Sequence, residues 1–544
     1  MLVGLLQLNS TIGDFGGNAL KIREGYQKAC AAGAEWVLAP ELALSGYPPR
    51  DLLLRRDFVE RNLAILEELA KQTKEVPLVV GYVAWNEERP GKPLRNAAAV
   101  LQNGKITDRI FKSLLPTYDV FDEDRYFEPA AAVAPVTWNG KKIGITICED
   151  IWNDEDFWPD RLYRRDPVKD LVTAGAEVIF NISASPWQVN KQAVRLEMLQ
   201  KVARDERVPL VQVNTVGAND ELIFDGHSVA LDAQGGIIAM GAAFAEEVLI
   251  VDLASPGKLS RPVEEKAQQL ASALALGIRD YVRKCGFHSV VLGLSGGIDS
   301  AVVAALAVQA LGPDKVLGVS MPARYSSQGS KDDALVLAKN LGIRYETIAI
   351  EDSFLAMEKQ LEPVFTGRKP DLTEENIQSR LRGVTLMALS NKFGSLVLTT
   401  GNKSEMAVGY CTLYGDMCGA LAVIADVFKT EVYDLARWMN REREVIPQST
   451  IDKVPSAELR PNQTDQDSLP DYATLDAILK AYVVGDKACA DIVAEGYKVL
   501  VVEDVINKVI MSEYKRRQAA PGLKVSARAF GMGRRIPIAQ RFRT

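Results

Sequence analysis

Histidine is nearly missing from this chain. Its 2 histidines in 544 residues, His227 and His288, are too few and too far apart in sequence to suggest a Cys-His or Ser-His catalytic pair, so a nucleophile must draw its activation from other groups. Cysteine is sparse too. The 6 cysteines, at 30, 148, 285, 411, 418 and 489, form no Cys-x-x-Cys pair and no dense framework. That leaves no zinc site and no disulfide scaffold, and it points to a reducing, cytoplasmic setting. No apolar run approaches the length of a membrane helix. The apolar residues 1–8 lack a basic flank and read as a first strand rather than a signal peptide. Basic charge is not in excess: 64 Lys and Arg against 71 Asp and Glu give a net charge of −7, which argues against general binding to nucleic acid or an anionic membrane.

What is present suits a globular protein of two or three domains, with 47% hydrophobic and 25% charged residues. A Pro, Ser and Gly-rich stretch reads as a linker at 253–265, dividing 1–252 from 266–544. In the first block, strand patterns at 3–8, 36–39, 78–83, 143–148, 178–182 and 210–213 alternate with helical ones, and Asn103-Gly104 signals a hairpin. This is an α/β sandwich. In the second block, strands at 290–294, 316–320, 345–350 and 396–399 alternate with helices such as 331–341 and 374–391. That is a doubly wound parallel pattern, whose ligands collect at the carboxyl ends of the strands. From Tyr514 onward the chain carries nine Lys or Arg and no acid, which reads as a solvated or subunit-packing tail.

The most informative segment is Ser295-Gly296-Gly297-Ile298-Asp299-Ser300, between a strand pattern (289–294) and an Ala-rich helix (301–311). Adjacent glycines let backbone N–H groups turn inward as a nest, the serines add hydroxyls, and the helix start adds partial positive charge. A phosphate belongs there, although an ordinary Gly-rich turn shares the pattern. The Gly-Lys-[Ser/Thr] ending of a Walker A loop is missing, and with it the lysine that grips a γ-phosphate. Asp299 would instead face a metal on pyrophosphate. The S-G-G-x-D-S word resembles the loop of the ATP pyrophosphatases, which cleave ATP to AMP and pyrophosphate while adenylating a substrate.

Three reactive side chains in the first block stand where strand gives way to loop: Glu41 in Ala39-Pro40-Glu41-Leu42, Lys112 after Phe111, and Cys148 in Ile147-Cys148-Glu149-Asp150. Singly, each also suits a core cysteine or a solvated charge. Together P-E-L-x-x-S-G-Y, F-K-x-x-L-P and C-E-D-x-W resemble the nitrilase, or carbon–nitrogen hydrolase, superfamily over about the first 250 residues. The resemblance implies an αββα sandwich with Cys148 as nucleophile, Glu41 as general base and Lys112 on the tetrahedral oxyanion. It also implies a supporting glutamate, Glu123, and glutamine contacts from Tyr118, Glu149, Ser185 and Lys191.

In the second block Thr399-Thr400-Gly401-Asn402-Lys403-Ser404-Glu405 again follows a strand. Glu405 is a candidate Mg²⁺ ligand opposite Asp299, because hard oxygens suit that ion; a glutamate opening an ordinary helix would look the same. Glu375 to Arg382, Tyr414-Gly415-Asp416, Asp426 to Val432, Pro455 to Leu459 and Lys515-Arg516 resemble successive motifs of the NAD synthetases. With the nitrilase-like block, the whole chain resembles the glutamine-dependent members. The resemblance implies that ATP, with Mg²⁺, adenylates deamido-NAD, and that ammonia released from L-glutamine in the first domain passes to the second and displaces AMP. It assigns Ser295, Gly296, Gly297, Ile298, Asp299, Ser300, Thr400, Lys429 and Ser456 to ATP, Asp299 and Glu405 to the metal, and Arg382, Glu405, Asp416 and Lys515 to deamido-NAD. It also implies a homo-oligomer. Other ATP-pyrophosphatase amidotransferases, such as GMP or asparagine synthetases, share the loop but resemble different glutaminases. A dinucleotide-binding regulator would not need both intact reactive sets.

Overall fold

The computed structural model describes residues 1–544 except 155–156, 159, 261–264 and 543–544. The chain forms two compact units, Met1–Val263 and Glu264–Thr544. Part of the expected linker, 261–264, lies outside the described residues. Before it, Gly257 N donates to Asp232 (2.8 Å) and Leu259 bridges Ile237, so this stretch is held by the first unit.

The first unit is built on two six-stranded sheets. One runs in the order Glu247–Asp252, Leu2–Gln7, Trp36–Leu38, Leu78–Trp85, Leu94–Gln102, Lys105–Phe111; the other runs Ile237–Met240, Val229–Leu231, Leu210–Asn214, Val178–Ser183, Lys141–Ile147, Val136–Trp138. Strand alternation sorts the side chains. Val3, Leu5, Trp36 and Leu38 of one sheet meet Ile143, Ile145, Phe180 and Ile182 of the other, with Trp36 and Phe180 edge-on at 5.6 Å. Each such buried side chain contributes about 1.5–3 kcal/mol. On the outer face of the first sheet lie helices Phe15–Ala31 and Arg56–Ala70, and on that of the second Pro167–Thr173 and Lys191–Glu206. The first helix starts where Asp14 accepts from Gly17 N (3.0 Å) and buries Ile22, Tyr26 and Ala29 at helical spacing. The result is the αββα sandwich, and Asn103-Gly104 is indeed the hairpin between its last two antiparallel strands of the first sheet.

The second unit carries a parallel sheet in the order Arg344–Thr347, Val316–Ser320, Val290–Gly293, Leu396–Thr399, Leu421–Ala422. The chain winds outward from Val290–Gly293 on one side, then returns to its other side with Leu396–Thr399. The crevice at this switch point is where an open α/β sheet takes its ligand. Helix Ile298–Leu311 is almost wholly buried, as its Ala and Val content requires, and packs with helices Lys266–Lys284 and Lys429–Met439. A further helical cluster joins Leu475, Ile478, Val502, Val505 and Ile506 from Tyr472–Leu479 and Val499–Met511.

Three expectations change. The strand 143–148 ends at Ile147, because Cys148 opens a 3₁₀ turn, Cys148–Ile151. The strand 345–350 is Arg344–Thr347, since Ile350 already caps helix Glu351–Phe365. The basic tail is not merely solvated. Pro521 O accepts from Ala422 N (2.8 Å), Leu523 to Val525 are buried, and Val525 N and Ser526 N donate to Asp426 (2.8 and 2.7 Å). Charge content misled here because Lys524 is itself buried, its ammonium donating to Ser526 O at 2.7 Å. Among the described residues no helix is long and apolar enough to cross a membrane.

Candidate active sites

Glu41 follows strand Trp36–Leu38 on a turn that crosses Gly81. A Cβ on Gly81 would stand 2.2 Å from Leu42 N, so only glycine admits this close approach. The carboxylate then reaches Lys112 Nζ and Asn96 Nδ2, both at 2.7 Å through Oε1, and Ala184 N at 3.1 Å through Oε2. Lys112 ends the hairpin strand Lys105–Phe111 and is 0% exposed; it also donates to both oxygens of Glu123 (2.8 and 2.7 Å). Tyr47 and Asn96 donate to Glu123 as well (2.9 and 3.2 Å). Burial alone would lower the Lys112 ammonium, but Glu123 and Glu41 outweigh it and hold it well above its usual range. Glu123 is pushed up to about 7 by burial and by Glu41, against the pull of Lys112.

Cys148 comes off strand Lys141–Ile147 in a left-handed conformation (φ 45°), a strained backbone that turns its side chain out of the strand's alternation. Asp150 pins that turn. It accepts from Ile147 N (3.0 Å), Ser113 N (2.9 Å) and Leu114 N (2.8 Å), so the segment after Lys112 and the turn at Cys148 share one carboxylate. Burial raises Asp150 to about 6 against those donors. Burial and Glu41 push the Cys148 thiol far up, opposed by Lys112.

Glu149 accepts from Tyr118 at both oxygens (3.0 Å each) and from Tyr163 (3.1 Å), and burial raises it. Ser185 N donates to Asn214 (3.0 Å), which donates to Asp225 (3.2 Å). Lys191 donates to Pro186 O (2.9 Å) and lies over Trp152 at 5.4 Å. The structure thus joins Glu41, Lys112 and Glu123 directly, sets Glu149 and Tyr118 together beside Cys148, and puts Ser185 on the loop that leads into the helix opened by Lys191. Sequence reading missed the roles of Tyr47, Asn96, Asp150 and Tyr163. Tyr47 and Asp150 were within reach, since they close the P-E-L-x-x-S-G-Y word and follow Glu149. Asn96 sits mid-strand with no local signal.

In the second unit the loop expected to hold phosphate leaves strand Val290–Gly293. Gly296 has φ +78°, and a Cβ there would stand 2.2 Å from Ser330 O. Gly297 N donates to Ser295 Oγ (3.1 Å), the two serine hydroxyls lie 3.2 Å apart, and Ser300 Oγ donates to Gly297 O (2.9 Å), a preformed cup at the helix start. Asn402 caps helix Lys403–Val408: its Oδ1 accepts from Glu405 N (3.0 Å), while its Nδ2 donates to Asp299 (2.9 Å). Lys429 Nζ donates to Asp299 and to Glu405 (3.1 Å). Burial and Asp299 raise Glu405 to about 8 against Lys429. These groups face a cavity of about 300 Å³, also lined by Thr400, Ser456, Arg382 and Asp416.

Lys429, expected on phosphate, thus lies between the two carboxylates expected to hold metal. Arg382 gives Nε to Met321 O (3.0 Å), and burial lowers it to about 10. Asp416 accepts from Thr412 N (2.6 Å), and Ser456 Oγ donates to Gln463 O (2.6 Å). Lys515 lies outside the lining: it spends its ammonium on Gly409 O (2.8 Å) and Cys411 O (2.7 Å). Asp465, buried in the same lining and held by Tyr472 Oη (2.7 Å), had no sequence signal. Among the described residues no group of three or more His, Cys, Asp or Glu could hold a metal. Two carboxylates sharing one cation still fit Mg²⁺, which takes one or two carboxylates and fills its octahedron with phosphate oxygens and water.

Two family models match: carbon–nitrogen hydrolase over residues 2–257 and NAD synthase over residues 270–519. A glutamine-dependent NAD(+) synthetase of Synechocystis is 50% identical over 552 residues, covering 99% of each chain. Among solved structures, the glutamine-dependent NAD+ synthetase of Acinetobacter baumannii, in complex with adenosine diphosphate, is 39% identical with a TM-score of 0.78, covering 99% of this chain and 98% of that one. A glutamine-dependent NAD(+) synthetase of Cytophaga hutchinsonii, 22% identical with a TM-score of 0.83 and the same coverage, shares the fold.

Proposed function

The chain belongs to the glutamine-dependent NAD(+) synthetases, ligases of the carbon–nitrogen class, and from that premise we propose that its two units divide the reaction as follows. In the first, Cys148 Sγ attacks the side-chain amide of L-glutamine. Glu41 takes the thiol proton and returns it to departing ammonia, while Lys112 and the Glu149 backbone N–H receive the oxyanion. Water then cleaves the thioester to glutamate. Tyr118, Glu149, Ser185 and Lys191 orient the amino acid. The buried Glu41–Lys112 contact of 2.7 Å carries this reading, because it holds a base and a cation next to one thiol without histidine.

In the second unit ATP adenylates the nicotinate carboxylate of deamido-NAD, releasing diphosphate. Ammonia from the first site then displaces AMP to give the carboxamide of NAD. Adenylation turns a poor leaving oxygen into AMP. Residues 295–300, with Thr400, Lys429 and Ser456, take the phosphates; Arg382 and Asp416 take the dinucleotide. Asp299 and Glu405 would hold Mg²⁺, which when bound draws charge from the phosphate oxygens. The bound ADP of the Acinetobacter baumannii relative supports nucleotide use here. The test is to supply ATP, Mg²⁺, glutamine and deamido-NAD and to measure NAD, AMP and glutamate in equal amounts. Silence with deamido-NAD but turnover with xanthosine monophosphate or aspartate would overturn the acceptor.

A further inference from the structure

Ser183 ends strand Val178–Ser183. In the parallel ladder with Lys141–Ile147 the last pair is Ile147 with Ile182; Cys148 then turns off its strand, and the Ser183 side chain is the hydroxyl within reach of its thiol. The Ser183 hydroxyl is enclosed, 0% exposed, and has no nitrogen or oxygen partner at hydrogen-bond distance; the side chain left for it to bond is the Cys148 thiol. Leaving such a group unsatisfied costs about 1–3 kcal/mol. Its polar neighbours are committed elsewhere. Asn181 Nδ2 donates to Thr146 Oγ1 (3.0 Å) and Cys148 O (3.4 Å), and Asn214 serves Ser185 N and Asp225.

Cys148 has the opposite need. Burial, Glu41 and Glu123 all disfavour its thiolate; Lys112 and the Ser183 side chain favour it. Yet Lys112 Nζ already donates to Glu41 and to both oxygens of Glu123. A donor with no nitrogen or oxygen partner thus stands beside a sulfur that must become an anion with a cation already shared. We propose that Ser183 is a catalytic residue of the first site, its O–H donating to Cys148 Sγ as that sulfur becomes a thiolate. The S–H proton goes to the Glu41 carboxylate, the electron pair stays on sulfur until it forms the S–C bond to the amide carbon, and Ser183 keeps its own proton throughout. The inference rests on Cys148 as the nucleophile.

The test compares the full-length protein with Ser183→Ala and Ser183→Thr, subtracting a Cys148→Ala background. Iodoacetamide alkylation of Cys148 across pH reads the reactive thiolate, and glutamine kinetics read kcat and KM separately. A hydrogen bond to an anion is worth one to two pKa units or so, and a more basic thiolate recovers roughly half of that in nucleophilicity. Ser183→Ala should therefore lower both the alkylation rate below its midpoint and kcat by about 3- to 10-fold, with KM unchanged and Ser183→Thr near wild type. If the alanine variant loses its fold by thermal melting, Ser183→Gly makes the same comparison. An alkylation profile unchanged in the hydroxyl-free variant would overturn the proposal, whether or not glutamine hydrolysis falls. Glutamine hydrolysis surviving in Cys148→Ala would instead remove the nucleophile assignment itself, so the two failures are distinguishable.

Discussion

Asn402 donates its side-chain amide to Asp299 at 2.9 Å across 103 residues of sequence. The contact ties the start of helix Lys403–Val408 to the start of helix Ile298–Leu311, the two helices that leave neighbouring strands at the switch point. One residue thus sets the spacing of both carboxylates assigned to magnesium, because its carbonyl also caps Glu405 N. Asn402→Ala should lose about 1 kcal/mol of cap and, more tellingly, raise the Mg²⁺ concentration needed for NAD synthesis. A Mg²⁺ titration of ammonium-dependent synthesis measures this; an unshifted midpoint would leave Asn402 as a cap alone.

Asp299→Ala and Glu405→Ala should each abolish synthesis with glutamine or ammonium. Basal glutamine hydrolysis, which we assign to the other unit, should persist. Ammonium-dependent synthesis at the wild-type rate in either variant would show that the metal carboxylates lie elsewhere.

Cys148→Ala should stop glutamine-dependent NAD formation and spare ammonium-dependent formation. Cys148 and the loop 295–300 belong to different compact units, Met1–Val263 and Glu264–Thr544, so a folded variant that lost both activities equally would contradict the proposed division of labour.

The sequence exposed what local grammar can encode. Glu41, Lys112 and Cys148 each follow a strand whose apolar alternation is visible in the chain, and the phosphate loop announces itself through glycines that the backbone needs. Residues whose meaning is a distant partner were silent. Asn96 is a polar residue inside strand Leu94–Gln102 until Glu41, 55 residues away, gives it a purpose. Ser183 looks like a strand terminus until the turn at Cys148 brings the thiol to its hydroxyl. Lys429 carries a motif suited to phosphate, and nothing in that motif announces its partners Asp299, 130 residues away, and Glu405, 24 residues away.

The buried group Arg195–Asp225–His227 backs the loop that carries Ser185. Arg195 donates to Asp225 at 3.2 and 2.8 Å, and His227 Nδ1 lies 2.9 Å from the same carboxylate. Burial alone would raise Asp225, but Arg195 and His227 outweigh it and hold it at about 2. A depressed carboxylate pKa stabilises the fold fully above the unfolded value near 4 and loses that stabilisation as pH falls through the folded one; here it is worth about 2 kcal/mol at neutral pH. Asp225→Ala, which also strands the Arg195 charge, should cost about 3–5 kcal/mol near neutrality and progressively less toward pH 2 or so. Urea unfolding followed across pH checks it, and a pH-independent difference would refute the linkage.

Lys403, 0% exposed and two residues before Glu405, donates to Asp426 (2.7 Å), Ser526 Oγ (2.7 Å) and Arg528 O (2.7 Å), and Asp426 accepts from Val525 N and Ser526 N. At the other end of the same short helix, Arg516 donates to Met406 O (3.3 Å) and Ala407 O (2.6 Å). The tail therefore grips both ends of the helix that aims Glu405. Asp426→Ala removes the tail's anchor and leaves a buried ammonium without its counter-charge, a loss of about 3–5 kcal/mol where the pair is enclosed. Limited proteolysis should then cut the chain near residue 520, and NAD synthesis from either nitrogen source should fall together while glutamine hydrolysis continues. A tail released by protease with synthesis intact would show that it packs against the helix without positioning Glu405.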